Sequence, residues 1–599
     1  MVMVTMRDLL GKLGDRFGVL AESNTYQLTV VAANGDVAVG DLFLLPSRRG
    51  GQERIYVFRT TQYANILNRS LEMNDIARNK LTMPDSYFSE NLADEQLIEL
   101  KGMVLGYGQA EGDRWSFYRP RRLPEHLCDV YRVSVDNPLI GEVMGALLGS
   151  QLGDRGLFVG NLLAGEEALE SVRVFLPMLA LSHHIGVFGR TGAGKSNLMM
   201  VLLKSVLDHN YRVAAGEVEE GQRGSILAID PHDEFRAWHS QTGGKDGIRG
   251  IVSGYSARER ADLVEPFYYL TARHSLEGAL EKRMVLSRAD LTPSDLISIT
   301  EFSEQQIAFV NQQFAQWGEL WVMRVLLGDL DAPDSGFEGG ADFLPGTVSA
   351  VQRRLDFLRQ GQTGMVTAYD PEMGREYESL LPDILCALEQ GRVLVVDTTL
   401  MSELEQFLVT TVVARTLFVL RRALKSVDDP DDLPDAIRLA LGDDGQRVGS
   451  RRLAQELIDR LGDGRLPYVV DSLLQGLDRL PFVNVVVEEA PSVLNPQRMR
   501  FGSVFRDISR QGRKFGIGLT VVSQQVSEID SGVLTQLNTE LVMPLGNEME
   551  RKDAIRNASV DMMGFERELQ VMGKGQVIVS ASYKDIPLPV KVPEFDDLE

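Results

Sequence analysis

The sequence predicts an α/β protein: a P-loop core on a parallel sheet, preceded by a small β-barrel and interrupted by helical sequence. Three observations predict this. A complete G-x-x-x-x-G-K-[ST] loop, Gly189 to Ser196, follows the apolar run Ile185–Phe188. From about residue 180, continuous apolar runs alternate with long helical stretches, as expected for strands covered on both faces. Before that point, residues 16–165 hold many short apolar or alternating runs parted by turns, the pattern of a small barrel.

In the barrel region the expected strands are Val19–Leu20, Tyr26–Val31, Val37–Leu45 and Arg54–Arg59, continued by Met103–Gly106, Trp115–Tyr118 and Leu157–Val159. Residues 62–100 read as a more helical insertion. Arg119, Arg121 and Arg122 form a small basic cluster, either a contact at the barrel rim or a solvated face. In the core the expected strands are Ile185–Phe188, Ser225–Asp230, Val393–Asp397, Val483–Val487, Leu519–Val522 and Leu541–Met543. Mostly helical sequence between about 255 and 385 has the length of an inserted subdomain, and 426–480 forms a second insertion opened by the acidic run Asp428–Asp432.

The P-loop supplies the first half of a nucleotide site. Gly189, Arg190, Thr191, Gly192, Ala193 and Gly194 shape a loop whose backbone N–H groups close around phosphates. Lys195 reaches the β/γ-phosphates and the Ser196 hydroxyl ligates Mg²⁺, with Asn197 just behind them in the expected nucleotide-binding set. Helix-forming residues follow at once, so the phosphates sit at a helix N-terminus. Such a loop needs acids at a strand end to hold the metal shell and to activate water. Phe482–Val487 runs into Glu488 and Glu489, assigned to the Mg²⁺ end and to the attacking water respectively. Asp230, with Glu234 in the turn behind it, and Asp397 also end strands; each is either near the metal or a loop acid satisfied by backbone N–H groups. His232 has no partner at metal spacing.

A basic segment follows, with Arg498, Arg500, Arg506, Arg510, Arg513 and Lys514. Arg506, Arg510 and Arg513 are spaced by four and three, which predicts one helix face. It reaches a neighbouring subunit's γ-phosphate, meets a nucleic-acid backbone, or is a solvated face. The strand Leu519–Val522 then ends in Ser523–Gln524, which places a carboxamide within reach of the γ-phosphate or the lytic water.

Bulk properties bound the function. At 599 residues the chain needs more than one core, and its net charge of −23 excludes a protein that coats nucleic acid with its whole surface while leaving room for a local basic channel. No apolar stretch has the length of a membrane span and the first residues lack a signal-peptide core, so a cytoplasmic location away from membranes is expected. Cys128 and Cys386 lie far apart and without metal-ligand company, as reduced thiols do.

In this order the motifs resemble the HerA family of ring ATPases, related to the FtsK translocases. The resemblance is carried by His184, Gly189–Ser196, Asp230–Phe235, Glu488–Ala490, Gly512–Leu519 and Ser523–Gln524. It implies a RecA-like ATPase core at 166–255 and 386–580, a HAS-barrel-like domain at 1–165, an inserted helical subdomain at 256–385, and a C-terminal brace with an acidic tail at 581–599. It further implies a homohexamer that hydrolyses ATP with Mg²⁺ between subunits and moves double-stranded DNA through a central pore. The implied partner is a nuclease such as NurA, or a defence effector of Sir2-like, NADase or nuclease type. By motif, Lys195, Ser196, Glu489 and Gln524 take the nucleotide roles, and Arg513, then Arg510, that of arginine finger. Two departures are the Ala490–Pro491 pair, where the family often has Ala-His, and the length of 426–480.

A second function class stays open: a nucleotide-dependent ring scaffold that assembles and activates an effector, for which an acidic surface suits protein partners. A metabolic P-loop kinase would explain neither the barrel nor the Ser-Gln strand.

Overall fold

The computed structural model describes residues 6–24, 27–33, 35–49, 51–67, 96–111, 114–153, 155–218, 222–235, 267–273, 281–329, 343–360, 363–443, 450–464, 480–499 and 502–598, with Leu276 and Val469. Two compact units divide the chain. The first holds Met1–Pro177, Phe188–Leu198 and Asn538–Leu598, and the second Met178–Val187 and Met199–Leu537.

In the first unit a barrel closes from six strands in the order Leu28–Ala33, Gly18–Ser23, Asp129–Arg132, Leu42–Arg49, Gln52–Leu67 and Gln96–Glu111, the last pairing back to the first. Arg114–Tyr118 extends one edge. Alternation along each strand turns Leu20, Val30, Phe43, Tyr56, Phe58 and Leu100 inward to a sealed core. At Gly102 a Cβ would lie 1.9 Å from the Arg59 carbonyl oxygen, so only glycine permits this pairing beside the register shift between Thr60 and Gln62.

Sequence expectation and structure differ here in three places. Residues 62–67 and 96–100, expected in a helical insertion, are the paired ends of two long antiparallel strands. Residues 68–95 lie outside the described residues. Leu157–Val159 does not continue the barrel. The helix Ile140–Leu152 intervenes, and Leu157–Ala164 pairs instead with Glu167–Leu176 and Leu588–Lys591. Those strands form an antiparallel run with Gln576–Ala581 and Leu537–Val542. The unit boundaries also depart from the expected domains, because backbone bonds from Arg190 to Pro544 (2.8 Å) and from Gly575 to Ala193 (2.9 Å) tie the P-loop to the C-terminal strands.

The second unit is built on a sheet ordered Glu281–Arg283, Phe267–Thr271, Val393–Asp397, Gly224–Asp230, Phe482–Val487, Ile517–Ser523 and His184–Phe188. Its central pairs are parallel, and every residue of Gly224–Asp230 and Val393–Asp397 is buried, as the unbroken apolar runs require. The helix Glu403–Leu424 packs almost wholly buried and opens on a capping box in which Ser402 and Glu405 satisfy each other's amides. It carries two buried ion pairs, Arg415–Asp295 and Arg421–Glu389, both 2.6 Å. Helices at Pro293–Ile299, Glu304–Trp317, Trp321–Leu327 and Pro345–Leu355 lie in the stretch read as an inserted helical subdomain, but Phe267–Thr271 and Glu281–Arg283 of that stretch are strands that pair into the core sheet rather than part of a helical insertion. In 426–480 the described part holds Leu433–Arg438 and Arg451–Gly462 as helices, and Asp429 of the acidic run caps the short turn that precedes the first of them.

Candidate nucleotide site

The P-loop leaves the strand His184–Phe188 and enters the helix Lys195–Ala214. Two glycines give the loop its shape: Gly192 at φ +75° and Gly194 at φ +104° are conformations that a side chain would strain. Lys195 folds back across the loop, its Nζ donating to the carbonyls of Gly189 (2.9 Å) and Arg190 (3.3 Å). Its ammonium therefore stands at the mouth of the loop, beside first-turn amides that a helix cannot satisfy internally. These residues fit a nucleotide phosphate: the donors are backbone amides at a helix N-terminus, with the Lys195 ammonium beside them. Arg190, Thr191 and Gly192 are exposed, Gly194, Lys195 and Ser196 half-buried, and Ala193 is buried.

Asn197 leaves the nucleotide set. It is 5% exposed, and its carboxamide donates to the Pro593 carbonyl (2.8 Å) and accepts from the Phe595 amide (2.9 Å). The side chain pins the C-terminal segment to the start of the helix.

In the second unit the strands Phe482–Val487 and Ile517–Ser523 run parallel in register, Val487 opposite Val521. Glu489 and Gln524 lie just past their carboxyl ends. The structure brings the two together: Gln524 Nε2 donates to Glu489 Oε1 at 3.2 Å. Two local devices achieve this. Glu489 takes φ +47°, a left-handed conformation for a non-glycine residue, while Ala490 N donates to the Val522 carbonyl (3.1 Å) and Ser492 N to the Glu489 carbonyl (2.9 Å). Ser523 Oγ donates to the Gln525 carbonyl and accepts from its amide, both at 2.9 Å, turning the chain just after the strand. Strain at such a position marks functional sites more often than bland turns. Glu488 and Glu489 are half-buried and line a small cavity with Arg498.

Asp230 takes the loop-acid role. Its carboxylate accepts from the amides of His232 (3.2 Å), Glu234 (3.1 Å) and Phe235 (3.0 Å), and burial pushes its pKa up to about 6 against those bonds. The turn is held further by Asp233, at φ +56°, which accepts from Tyr269 Oη and from Arg273, both at 2.6 Å. Glu234 itself is half-buried in that turn. Asp397, one strand over, is a similar anchor: it accepts from Thr271 (2.8 Å), Arg273 (3.1 Å) and Thr399 (2.6 Å). Burial alone would raise its carboxyl; the Thr399, Thr271 and Arg273 bonds hold it below the usual range. Arg273, which bridges Asp233 and Asp397, carried no sequence signal, since a single arginine two residues beyond a strand resembles any loop cation.

Residues 157–417 match the family described as Helicase HerA, central domain. A DNA double-strand break repair helicase HerA from Pyrococcus furiosus is 22% identical over 96% of this chain and 91% of its own length. Over most of its length the chain is therefore similar to HerA helicases. A probable DNA double-strand break repair helicase HerA from Methanocaldococcus jannaschii is 23% identical over 74% of this chain and 77% of that one. Among solved structures, VirB4 of Thermoanaerobacter pseudethanolicus aligns over 74% of this chain and 98% of that chain at 13% identity, with a TM-score of 0.39. With its complete P-loop and its similarity to HerA helicases, the chain is an ATPase.

The arginine face is only partly what the spacing predicts. Val504–Gln511 is an α-helix, but Gly512–Phe515 tightens into a 3₁₀ turn, so Arg513 is not on the same α-helical face as Arg506 and Arg510. The cause is Gly512, where a Cβ would meet the Ile517 carbonyl oxygen at 2.5 Å: the chain turns back too closely for another helical turn. Arg510 and Arg513 are exposed, Arg506 is half-buried, and Arg500 lies outside the described residues. Arg498 turns inward, 4.6 Å over the Phe407 ring and 2.7 Å from Glu403. His184 braces the segment: one ring nitrogen meets the Ser509 carbonyl (2.9 Å) and the other accepts from the Leu519 amide (3.1 Å). The second contact assigns the proton to Nε2, and burial, which lowers its pKa to about 4, keeps the ring neutral.

Proposed function

We propose that this ATPase assembles as a homohexameric ring, hydrolyses ATP between subunits and drives double-stranded DNA through its pore. The carrying observation is the Gln524–Glu489 hydrogen bond at a left-handed glutamate, an arrangement that aims a carboxylate and explains why the strand ends in Ser-Gln. The similarity to a DNA double-strand break repair helicase along 96% of the chain supports the DNA substrate.

In this reading Lys195 offsets charge on the β/γ-phosphates and Ser196 holds Mg²⁺, whose bound form supplies electrostatic stabilisation of the transferred phosphoryl group. Glu488 serves the metal end. Glu489 orients the attacking water and accepts its proton, with Gln524 fixing the carboxylate and sensing the γ-phosphate side. Arg513, with Arg510 as second choice, reaches the γ-phosphate of a neighbouring subunit. The partner is a NurA-like nuclease or a defence effector.

The test is ATP hydrolysis by the purified chain with and without duplex DNA and the partner. DNA-stimulated hydrolysis that disappears in Lys195→Ala supports the reading; no hydrolysis under any of these conditions sinks it. Glu489→Gln retains ATP binding and assembly but not turnover. If that variant still activated an effector fully, the ring would be a scaffold rather than a motor.

A further inference from the structure

The second unit contains a cavity of about 450 Å³ that the ATPase reading does not use. It lies at the amino ends of the parallel strands, whereas Asp230, Asp397 and Glu488 stand at or beyond their carboxyl ends. Arg223 directly precedes the strand Gly224–Asp230, Arg392 directly precedes Val393–Asp397, Lys282 sits in the edge strand Glu281–Arg283, and Arg460 comes from the helix Arg451–Gly462. Among the described residues Asp383 is the only carboxylate lining the cavity, beside four cations.

Such convergence is costly, because like charges repel more strongly in a recess than in bulk water. Internal partners offset only part of it. Arg460 pairs with Asp383 (3.1 Å) and Glu456 (2.8 Å). Lys282 rests 4.1 Å from the centroid of the Tyr268 ring, and Arg392 stacks on the same ring at 5.1 Å while donating to the Tyr268 hydroxyl. Among the described residues neither Lys282 nor Arg392 forms an ion pair with a carboxylate. The Nε atoms of Arg392 and Arg460 are buried and make no hydrogen bond among the described residues. Buried guanidinium donors are ordinarily satisfied, and their planar fork suits phosphate.

We propose that this cavity binds a small phosphate compound carrying at least two negative charges, of mononucleotide size or below. The volume lies in the range of small-molecule sites. Lys282 and Arg392 supply the charge, Arg223 and Arg460 the flanking donors, and Tyr268 holds the first two in place. The site is separate from the P-loop residues and needs no hydrolysis.

The experiment measures binding of inorganic pyrophosphate and, in a second arm, AMP to the full chain. It uses the Lys195→Ala background, which weakens the P-loop as a competing site. The expected result is one saturable site per chain, weakened at least tenfold when Lys282→Gln and Arg392→Gln are added, with affinity falling as salt rises. The two arms separate a phosphoanhydride site from one that takes a nucleoside phosphate. Lys282→Gln alone, on a three-residue edge strand, should fold normally and weaken binding several-fold. Absence of saturable binding, binding untouched by both substitutions, or a site that takes duplex DNA and not pyrophosphate would each overturn the proposal.

Discussion

Gln524 Nε2 donates to Glu489 Oε1 at 3.2 Å, across two parallel strands whose residues Val487 and Val521 are in register. Gln524→Glu would set a second carboxylate beside the first, and two such acids do not ionise together at low cost. The expected outcome is a fall in kcat of at least tenfold, KM for ATP within about threefold, and an acid limb displaced to higher pH. A pH profile of kcat, compared with Gln524→Ala, checks it; an unmoved acid limb would count against a direct carboxylate contact.

The left-handed backbone at Glu489 separates activity from stability. Glu489→Ala and Glu489→Gly both remove the carboxylate and should both lose ATP turnover by about 10² or more. Glycine tolerates φ +47° and alanine does not, so the glycine variant should be more stable than the alanine variant by about 1 kcal/mol. Chemical denaturation of the two proteins measures the difference, and equal stability would mean the strain is absent in solution.

Within the first unit, Arg59 of the barrel strand Gln52–Leu67 pairs with Glu568 of the helix Glu566–Val571, with side chains 1% and 8% exposed. Removing one partner leaves a buried charge, so Glu568→Ala should destabilise by about 3–5 kcal/mol. Adding Arg59→Met to Glu568→Ala should recover a substantial part. A double-mutant cycle by denaturant unfolding reads the coupling; strict additivity would show the pair does not interact.

Glu540 is 1% exposed and accepts from Ser559 N (3.0 Å), Ser559 Oγ (2.8 Å) and Ser580 Oγ (2.9 Å), yet burial still drives its pKa up from 4.5 to about 7. A carboxyl whose folded pKa exceeds its unfolded one binds its proton more tightly in the fold. Its stabilising contribution is thus complete below about pH 4.5 and lost as pH rises through about 7, on the order of 3 kcal/mol. Glu540→Gln should flatten that slope in denaturation midpoints measured from pH 4.5 to 8, and an unchanged slope would refute the assignment.

Arg513→Ala should abolish hydrolysis, by 10³-fold or more, while ATP binding persists. Mixed with Lys195→Ala protein under demonstrated subunit exchange, it should regain some activity, because some interfaces would then pair intact elements. Failure of rescue in steady-state ATPase assays would argue that the arginine acts within its own subunit.

Local chemistry made the P-loop, the strand ends at Asp230, Asp397 and Glu488, and the barrel alternation legible, since each depends on residues near in sequence. The contents of the candidate site were less so. Asn197 looked like a member of the loop, but its partners Pro593 and Phe595 are almost 400 positions away. Arg513 shared a helical spacing with Arg510, but a close approach at Gly512 changed the helix type.

Periodicity and motif spacing by themselves determined the fold class, the nucleotide loop and the family resemblance, because these rest on backbone propensity and short-range order. Tertiary structure alone decided that Gln524 grips Glu489, that Arg273 bridges Asp233 and Asp397, and that Lys282, Arg392 and Arg460 share one cavity. Each joins residues from separate strands, loops or helices, and only parallel register and packing bring such side chains within a few ångströms.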